Sequence, residues 1–367
     1  MLTLDYITIK GYKSIAAIDK LQLRPINVII GPNGSGKSNI IGAFSFLRAI
    51  RDGQLQNTVA RAGGADRLLH FGAKVTSEMT FEVSFRQTNR FAITLQSTNL
   101  DELVPKQESA WFCAERYVRW TPRTLHPNGK EAGISKETQS EAIASHVRQW
   151  LERWRVYHFH DTGPSSAMKR TADINDNRYY KEDGGNLAAY LYLLQETYQN
   201  EFGLITRLIR RVAPFFDGFV LRPDARNGEK IRLEWRHTKS DGYFDVSSLS
   251  DGSLRFVALA TLLLQPEQLR PSVILIDEPE LGLHPYAITM LASLIKQAAV
   301  RTQVIVSTQS PFLLDQFEPE DVLVAERIEG GTTLRRLESE AISTWLEEYS
   351  LGQLWEKNEI GGRPKAE

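Results

Sequence analysis

The stretch GPNGSGKS, residues 31–38, decides the fold of this 367-residue chain. It follows the short β-branched run INVII, residues 26–30, and it precedes Ile40, Phe44 and Leu47, which recur at helical spacing. This order predicts a buried strand, a glycine loop and a helix. A glycine-rich turn before a surface helix is the plainer alternative, and the flanking strand and helix argue against it.

Three glycines suit this loop to cradle phosphate oxygens. Gly31, Gly34 and Gly36 carry no Cβ and can adopt positive φ, so consecutive backbone N–H groups can converge on an anion. The helix that opens near Lys37 adds its positive end. We expect Lys37 to reach the outer phosphates and serve catalysis, and Ser38 to ligate Mg²⁺. The predicted nucleotide-binding residues are Gly31, Asn33, Gly34, Ser35, Gly36, Lys37, Ser38 and Asn39.

A second run supplies two carboxylates. Residues 273–276 are four consecutive apolar residues, as in a parallel strand buried on both faces, and Asp277 and Glu278 follow directly. We expect Asp277 to bind Mg²⁺, directly or through water, and Glu278 to polarise the attacking water. The alternative is that these acids cap a helix beginning at Pro285, which the intervening residues argue against.

A third run, LSDGSLR at residues 249–255, lies between the other two in the chain. It precedes residues 256–264, a helix apolar enough to be largely buried. Ser250 can cap that helix, whose free N–H groups form an anion site. On its own this run is an ordinary helix start.

With all three runs in this order, the chain resembles the ATP-binding-cassette (ABC) ATPases, whose signature has a Leu-Ser-Gly-Gly core. The resemblance implies a head-to-tail dimer in which the signature of one subunit closes over the γ-phosphate held by another. Ser250, Asp251, Gly252 and Arg255 would then act in trans. Asp251 departs from the Gly-Gly pattern, and Arg255 lies in the positive first turn of its helix. Two charges in unfavourable places suggest a partner across the interface.

Further runs resemble the RecF/SMC-like ATPases, which are related to the ATPase part of the OLD (overcoming lysogenization defect) nucleases. The runs that carry this resemblance are GYKSI at 11–15, GKSN at 36–39 in the glycine loop, DEPELGLHP at 277–285, STQSP at 307–311 and YSLGQLW at 349–355. The resemblance covers nearly the whole chain. It implies an ABC-type α/β head with a mixed sheet and helices on both sides. It also implies ATP and Mg²⁺, a homodimer or higher oligomer, and a separately encoded effector, often in antiphage or toxin-like systems.

One position departs from the ABC pattern. Many cassette ATPases place a γ-phosphate-sensing His after the last core strand, whereas here the predicted strand 303–308 is followed by Gln309. Glutamine forms hydrogen bonds but cannot carry the positive charge of histidine. We therefore expect Gln309 to act in catalysis and hydrolysis to be slow or partner-dependent. The glutamine of the usual Q-loop stays unassigned, because Gln87 lies in a predicted hairpin turn and Gln96 ends a predicted strand.

Composition points to the cytoplasm. The single cysteine, Cys113, fits a reducing compartment, and no signal-like segment or apolar run long enough to span a bilayer is present. The net charge of −1 argues against a generally nucleic-acid-coating surface. A local basic face remains at Arg207, Arg210 and Arg211, which we interpret first as a solvated helix face, with DNA or partner contact left open.

The chain divides into four predicted parts. Residues 1–100 and 241–337 form the two parts of the ATPase lobe, 101–240 a compact, mainly helical insertion and 338–367 a helical tail. No sustained heptad pattern occurs, so long coiled-coil arms are not expected. His158 and His160 alternate on a predicted strand, and without a second His/Cys cluster we favour a structural or interface role over a metal site.

A nuclease domain within the chain is not expected. Only 58 residues follow Gln309, and no Asp-x-Asp pair occurs anywhere. The sequence therefore predicts an ATPase that dimerises around ATP and regulates a separate nuclease or toxin. A RecF-like DNA repair ATPase and an ATP-bound, non-hydrolysing scaffold are the alternatives, and no membrane partner is implied.

Overall fold

The computed structural model describes residues 4–113, 120–136 and 142–361. The strands are β1 Leu4–Tyr12, β2 Ile15–Gln22, β3 Ile26–Ile30, β4 Glu78–Phe85, β5 Asn89–Ser97, β6 Leu103–Phe112, β7 Thr121–Thr124, β8 Trp154–Tyr157, β9 Ala172–Asp173, β10 Phe216–Val220, β11 Lys230–Ile231, β12 Glu234–His237, β13 Tyr243–Asp245, β14 Val273–Asp277, β15 Gln303–Thr308, β16 Val322–Ile328 and β17 Gly331–Arg336. The α-helices are α1 Lys37–Arg51, α2 Leu55–Ala62, α3 Ala142–Glu152, α4 Leu187–Thr197, α5 Gln199–Val212, α6 Asp251–Leu264, α7 Pro285–Ala299, α8 Pro311–Leu314, α9 Ser339–Leu346 and α10 Leu351–Lys357.

A central six-stranded sheet carries two of the three runs that the sequence singles out, the glycine loop after β3 and the acidic end of β14, whereas the third run begins α6. Its order is β17-β16-β3-β15-β14-β8, and every strand except β17 runs parallel to its neighbour. The predicted strands at 26–30 and 303–308 coincide with β3 and β15. Because the carboxyl ends of parallel strands meet at one edge, the loops after β3, β14 and β15 lie together there.

Each central strand is buried on both faces, as its uninterrupted apolar sequence predicts. Val28 and Ile30 of β3 face a core shared with α4 to α7, whereas Ile29 faces a second core shared with α1. Strand β14 divides in the same way, with Ile274 in the first core and Leu275 in the second. This alternation follows from the two-residue period of a strand.

The second core joins the central sheet to an antiparallel sheet of order β2-β1-β4-β5-β6-β7. Helix α1 contributes Ile40, Phe44 and Leu47, the residues whose spacing predicts it. The glycine loop therefore leads directly into a helix that is packed between the two sheets.

The segment 101–240, expected to be a mainly helical insertion, also contributes strands to both large sheets. Strand β6 pairs with β5, and β8 forms the edge of the central sheet beside β14. The boundary drawn at residue 101 consequently lies inside the antiparallel sheet, and that at 240 lies inside the small sheet β10-β12-β13. Helices α3, α4 and α5 form the helical part of this segment, with α5 packed on α6. The predicted tail contains α9 and α10, and its residues 362–367 lie outside the described residues.

Helix lengths agree with the absence of coiled-coil arms. The longest helices in the described ranges, α1 and α7, have 15 residues each. The mixed α/β architecture without a long coiled coil confirms the predicted fold class. None of the described helices combines the length and apolar character needed to cross a membrane.

Candidate nucleotide site

The glycines of the loop at 31–38 serve different purposes. Gly34 has φ 81° and Gly36, the N-cap of α1, has φ 96°, as predicted for a loop that turns its N–H groups inward. Gly31 does not have positive φ, and its requirement is space, because a Cβ there would lie 2.5 Å from the Ala325 carbonyl oxygen. The expectation of positive φ is thus confirmed at two positions and corrected at the third.

Thr332, in the distant strand β17, supports this loop. Its hydroxyl donates to the Ser35 carbonyl oxygen at 2.9 Å and lies 2.6 Å from the Ser14 hydroxyl. The Asn39 amide donates to the same Ser14 oxygen at 2.7 Å, so this predicted nucleotide residue also ties α1 to the turn after β1. A Cβ on Gly36 would approach Thr332 Oγ1 to 2.0 Å, which leaves room only for glycine. Sequence reasoning missed Thr332, which lies almost 300 residues from the loop.

Lys37 is folded back over its own loop. Its Nζ donates to the carbonyl oxygens of Gly31 at 2.7 Å and Pro32 at 3.0 Å, and the residue is buried. Burial lowers the pKa of the ammonium, while the charges of Glu278, Asp277 and Glu280 oppose that shift. The loop and the acidic strand end therefore share one electrostatic environment, as expected from the sheet order.

Asp277 ends β14 opposite Ser307 of β15. The Ser307 hydroxyl donates to Asp277 Oδ1, which orients the carboxylate. On the other side, His160 places Nε2 2.8 Å from the Asp277 carbonyl oxygen. The predicted Mg²⁺ ligand is thus positioned from both neighbouring strands.

Glu278 adopts an unusual backbone conformation for its residue type. Its φ is 41°, in the left-handed region that costs non-glycine residues free energy and that often marks functional positions. Its N–H donates to the Ser307 carbonyl oxygen at 2.9 Å, and its carboxylate accepts a hydrogen bond from the Gln309 amide. Two of the three residues assigned to catalysis from the sequence, Glu278 and Gln309, therefore contact each other.

A third carboxylate, Glu280, belongs to the same cluster and was not singled out from the sequence. It accepts hydrogen bonds from Thr308 Oγ1 at 2.5 Å and from the Gln309 N–H at 3.3 Å. Burial raises the pKa of Glu280, and these hydrogen bonds counteract the shift. Its position two residues after Glu278 in an acidic run is the only sequence signal for this role, and that signal is weak.

The signature run begins α6 as predicted. Ser250 is the N-cap, and its hydroxyl accepts a hydrogen bond from the Ser253 N–H at 3.2 Å. Asp251 is exposed and lies 3.9 Å from Lys169, a cation of the same chain. A Cβ on Gly252 would lie 2.4 Å from the Gly282 carbonyl oxygen, so the signature packs closely on the loop after the acidic run.

Arg255 corrects one sequence expectation. Its side chain is buried, and it donates to the carbonyl oxygens of Phe159 at 2.9 Å and His160 at 3.0 Å, as well as to that of Leu281. A guanidinium held by three backbone acceptors in its own chain is not available to a partner. Arg255 instead joins the signature helix to the loops after β8 and β14, and these acceptors explain why it tolerates the positive end of the helix.

The two glutamines considered for the Q-loop lie in the antiparallel sheet. Gln87 is in the turn between β4 and β5, and its N–H donates to Asp5, while Gln96 lies in β5. The strand beside β14 is β8, and the residue after it that reaches Asp277 is His160. Within the described ranges no three His, Cys, Asp or Glu side chains, those around His158 and His160 included, lie close enough together to hold one metal ion.

The basic face of α5 is partly neutralised. Arg210 pairs with Asp217 at 3.3 Å, and Arg236 reaches the same carboxylate at 3.1 Å. Arg207 and Arg211 are exposed. The face is therefore less basic than its sequence suggests.

Together, the sheet order, the loop, the acidic strand end and the signature helix define an ATPase of the ABC type with the architecture of an SMC head. The family model described as "AAA domain, putative AbiEii toxin, Type IV TA system" matches residues 26–315, and the chain belongs to that family. Membership confirms the predicted RecF/SMC-like ATPase class.

Curated relatives include chromosome partition proteins Smc. The Mycobacterium tuberculosis protein is 36% identical over 80 residues, which is 20% of this chain and 7% of the relative. The Halothermothrix orenii protein is 32% identical over 150 residues, or 37% of this chain and 12% of the relative. The chain thus spans a small part of the length of these relatives.

Solved structures match over most of the chain. An Smc head bound to the C-winged helix domain of ScpA has a TM-score of 0.62 at 15% identity, covering 92% of this chain and 99% of that one. The Smc head domain with an extended coiled coil from Pyrococcus furiosus, bound to the C-terminal domain of ScpA, has a TM-score of 0.60 at 14% identity, with coverages of 95% and 99%. Likeness at this level of identity concerns the fold.

Proposed function

We propose that this protein binds and hydrolyses Mg-ATP, closes into a head-to-tail homodimer around it, and thereby regulates a separately encoded effector. The observation that carries the proposal is the division of the site. The phosphate loop and the carboxylates of Asp277 and Glu278 share one environment, whereas the signature makes its contacts elsewhere. Among the described residues, the hydrogen bonds and ion pairs of Ser250, Asp251 and Arg255 do not reach residues 31–38.

The residues of the loop fit a nucleotide phosphate group. Ser35 Oγ is buried and has no hydrogen-bond partner among the described residues, and a helix N-terminus opens beside it at Lys37. Ser38 and Asp277 offer the oxygen ligands that Mg²⁺ prefers and would hold it. Bound Mg²⁺ would neutralise phosphate charge. Lys37 would exchange its contacts with the Gly31 and Pro32 carbonyl oxygens for phosphate oxygens.

Glu278 is the proposed base that orients the attacking water. Its carboxylate is held by the Gln309 amide, so the base has a fixed direction but gains no positive charge from its neighbour. A slow or partner-dependent turnover follows, because the residue at the sensor position cannot become a cation as histidine can.

A second copy of the chain would complete the site. Ser250 and Asp251 are exposed at the N-terminus of α6, a helix of 14 residues whose free N–H groups favour an anion. In a head-to-tail pair this helix end faces the phosphate loop of the partner, and each of the two sites uses both chains.

The effector part of the proposal rests on the family. Its description names a putative toxin and a type IV TA system, which supports a role in a toxin-like system. We propose that the chain acts there with a separately encoded toxin or nuclease, in antiphage defence. The resemblance to the ATPase part of OLD nucleases points the same way, and the chain has no Asp-x-Asp pair of its own. We place the protein in the cytoplasm because its lone cysteine fits a reducing compartment.

Glu278→Gln tests this function against the non-hydrolysing scaffold. A hydrolysing switch should lose turnover and accumulate as an ATP-bound dimer, measured by phosphate release and by light scattering after size exclusion. Lys37→Ala is the matched control, since it should lose binding and dimerisation together. A wild-type chain without turnover, and a Glu278→Gln chain with unchanged oligomeric state, would instead identify a scaffold.

DNA binding in the manner of RecF is a second candidate, because Arg207 and Arg211 are exposed on α5. Salt-dependent binding of duplex DNA that weakens in R207Q/R211Q would support it. Identical binding by the variant and the wild type would remove its structural basis.

A further inference from the structure

A cavity of about 380 Å³ lies at the edge of the central sheet, away from the phosphate loop. Its lining includes residues 152–155 at the start of β8 and residues 268–271 just before β14. Asp277 ends β14 at its other end, so the cavity and the proposed nucleotide site lie at opposite ends of the same strand. None of residues 31–38 lines the cavity.

Positive charge dominates this cavity. Four guanidinium groups line it and define what we call the arginine cavity: Arg153, Arg155, Arg178 and Arg270. The one carboxylate in the lining, Glu152, is already paired with Arg51 at 2.8 Å. Within the described ranges, none of the four arginines forms an ion pair. Glu267 and Glu201 partly offset the charge of Arg270 without forming an ion pair with it, and the excess of positive charge over the single lining carboxylate favours an anion.

Two of these arginines are held in place by uncharged groups. Arg270 donates to the Gln265 carbonyl oxygen at 2.7 Å, while its buried Nε has no partner among the described residues. Arg155 donates to the Trp154 carbonyl oxygen at 2.8 Å and lies over the Tyr179 ring, 5.4 Å from its centroid. Their guanidinium groups are thus partly preorganised. Arg153 and Arg178 are exposed and free to turn toward a ligand.

The chemistry of the lining identifies the kind of anion. Guanidinium groups bind phosphate oxygens through paired N–H donors, and several of them suit a ligand with more than one negative charge. Tyr179 also lines the cavity and is 48% exposed, which offers an aromatic surface for a base. The volume falls within the range of about 300–1,000 Å³ typical of small-molecule sites.

We propose that the arginine cavity is a second anion site, separate from the phosphate loop, that binds a small molecule carrying a diphosphate or triphosphate. This inference goes beyond the proposed ATPase function and does not depend on it. Free pyrophosphate and a nucleoside diphosphate share the required chemistry, and Tyr179 distinguishes them.

The test measures binding of pyrophosphate to the full chain by equilibrium dialysis at low ionic strength without Mg²⁺. The wild type should bind two pyrophosphates per chain. In R153Q/R178Q the dissociation constant of the arginine cavity should rise about tenfold or more, so that only one pyrophosphate binds over the same concentration range. The charge-matched control R222Q/R226Q, at two exposed arginines between β10 and β11, should still bind two. Both pairs are exposed, so folding should survive in each.

Lys37→Ala isolates the arginine cavity, since it removes binding at the phosphate loop. In that background, pyrophosphate and ADP should still bind, and adding R153Q/R178Q should raise both dissociation constants about tenfold or more. Loss of ADP binding but not of pyrophosphate binding in Tyr179→Ala would assign the site to nucleotides, and equal binding of ADP by Tyr179→Ala would assign it to free diphosphate. One pyrophosphate per wild-type chain, or equal binding by R153Q/R178Q and its control, would overturn the proposal. Tighter binding of a single-stranded oligonucleotide through the same arginines would also overturn it.

Discussion

The side-chain amide of Gln309 donates a hydrogen bond to the carboxylate of Glu278. Gln309 follows β15 and Glu278 follows β14, so the contact joins the ends of two adjacent parallel strands. Glu278 has a φ of 41°, a backbone conformation that costs a non-glycine residue free energy. Because Gln309 contacts the proposed base directly, we predict for it a role that can be separated from nucleotide binding.

Gln309→Ala should lower kcat with little change in ATP affinity. Removal of the amide leaves the Glu278 carboxylate without its orienting donor. A positioned general base accelerates a reaction by about 10²–10⁴, and because the base itself remains we expect kcat to fall by only about tenfold. Steady-state phosphate release and equilibrium ATP binding measure the two quantities. A large change in affinity at unchanged kcat would contradict this role.

Gly36→Ala should abolish ATP binding and destabilise the fold. Its φ of 96° disfavours alanine, and the added Cβ would meet Thr332 Oγ1 at 2.0 Å. Gly34→Ala is the matched control, because φ is 81° there and no atom lies within 4 Å of the added Cβ. The free energy of unfolding of this control should fall by only about 1–2 kcal/mol, the cost of the left-handed conformation for a residue with a Cβ. Urea unfolding of both variants separates the two effects, and equal losses would argue against the steric explanation.

Thr332→Val should weaken ATP binding although Thr332 is not in the loop. The substitution keeps the shape but removes the hydrogen bond to the Ser35 carbonyl oxygen, worth about 1 kcal/mol, so the dissociation constant should rise about fivefold. Thr333→Val is the control, since that exposed hydroxyl only reaches the Glu326 carbonyl oxygen at 3.4 Å. Calorimetric titration with ATP distinguishes the pair. Equal ATP affinities in the two variants would show that the Thr332 hydroxyl does not support nucleotide binding.

Arg255→Ala should destabilise the chain by about 3 kcal/mol, because it removes a buried side chain and leaves the carbonyl oxygens of Phe159, His160 and Leu281 without this donor. Arg207→Ala, at an exposed arginine, should change the free energy of unfolding by less than about 0.5 kcal/mol. Denaturant midpoints measure both. An Arg255→Ala chain of normal stability that fails only to dimerise would restore the role in trans that the sequence suggested.

The sequence predicts the parts of this molecule that depend on local pattern. The apolar runs at 26–30 and 303–308 are strands because parallel strands buried on both faces need continuous apolar side chains. Ser250 caps α6 because a hydroxyl before a helix satisfies a free N–H group. Positive φ at Gly34 and Gly36 follows in the same way from the lack of a Cβ.

Contacts between distant segments were not predictable from one sequence. Thr332 holds the phosphate loop from almost 300 residues away, and nothing in the pattern around it indicates that contact. Arg255 was expected to face a partner because a cation in a first helical turn is unfavourable, but backbone carbonyl oxygens of its own chain compensate it. Strand β8 was expected in an insertion, because a four-residue strand carries no signal of the sheet it joins.

In our proposal a second chain completes each nucleotide site. Mixing two inactive variants tests this completion most directly. Lys37→Ala keeps the signature and loses the phosphate loop, while Ser250→Arg keeps the loop and blocks the signature. A dimer with one copy of each variant contains one intact site, whereas a dimer of either variant alone contains none. In an equal mixture phosphate release should therefore recover, to about a quarter of the wild-type rate at random pairing. A mixture no more active than the sum of the two separate variants would contradict the claim.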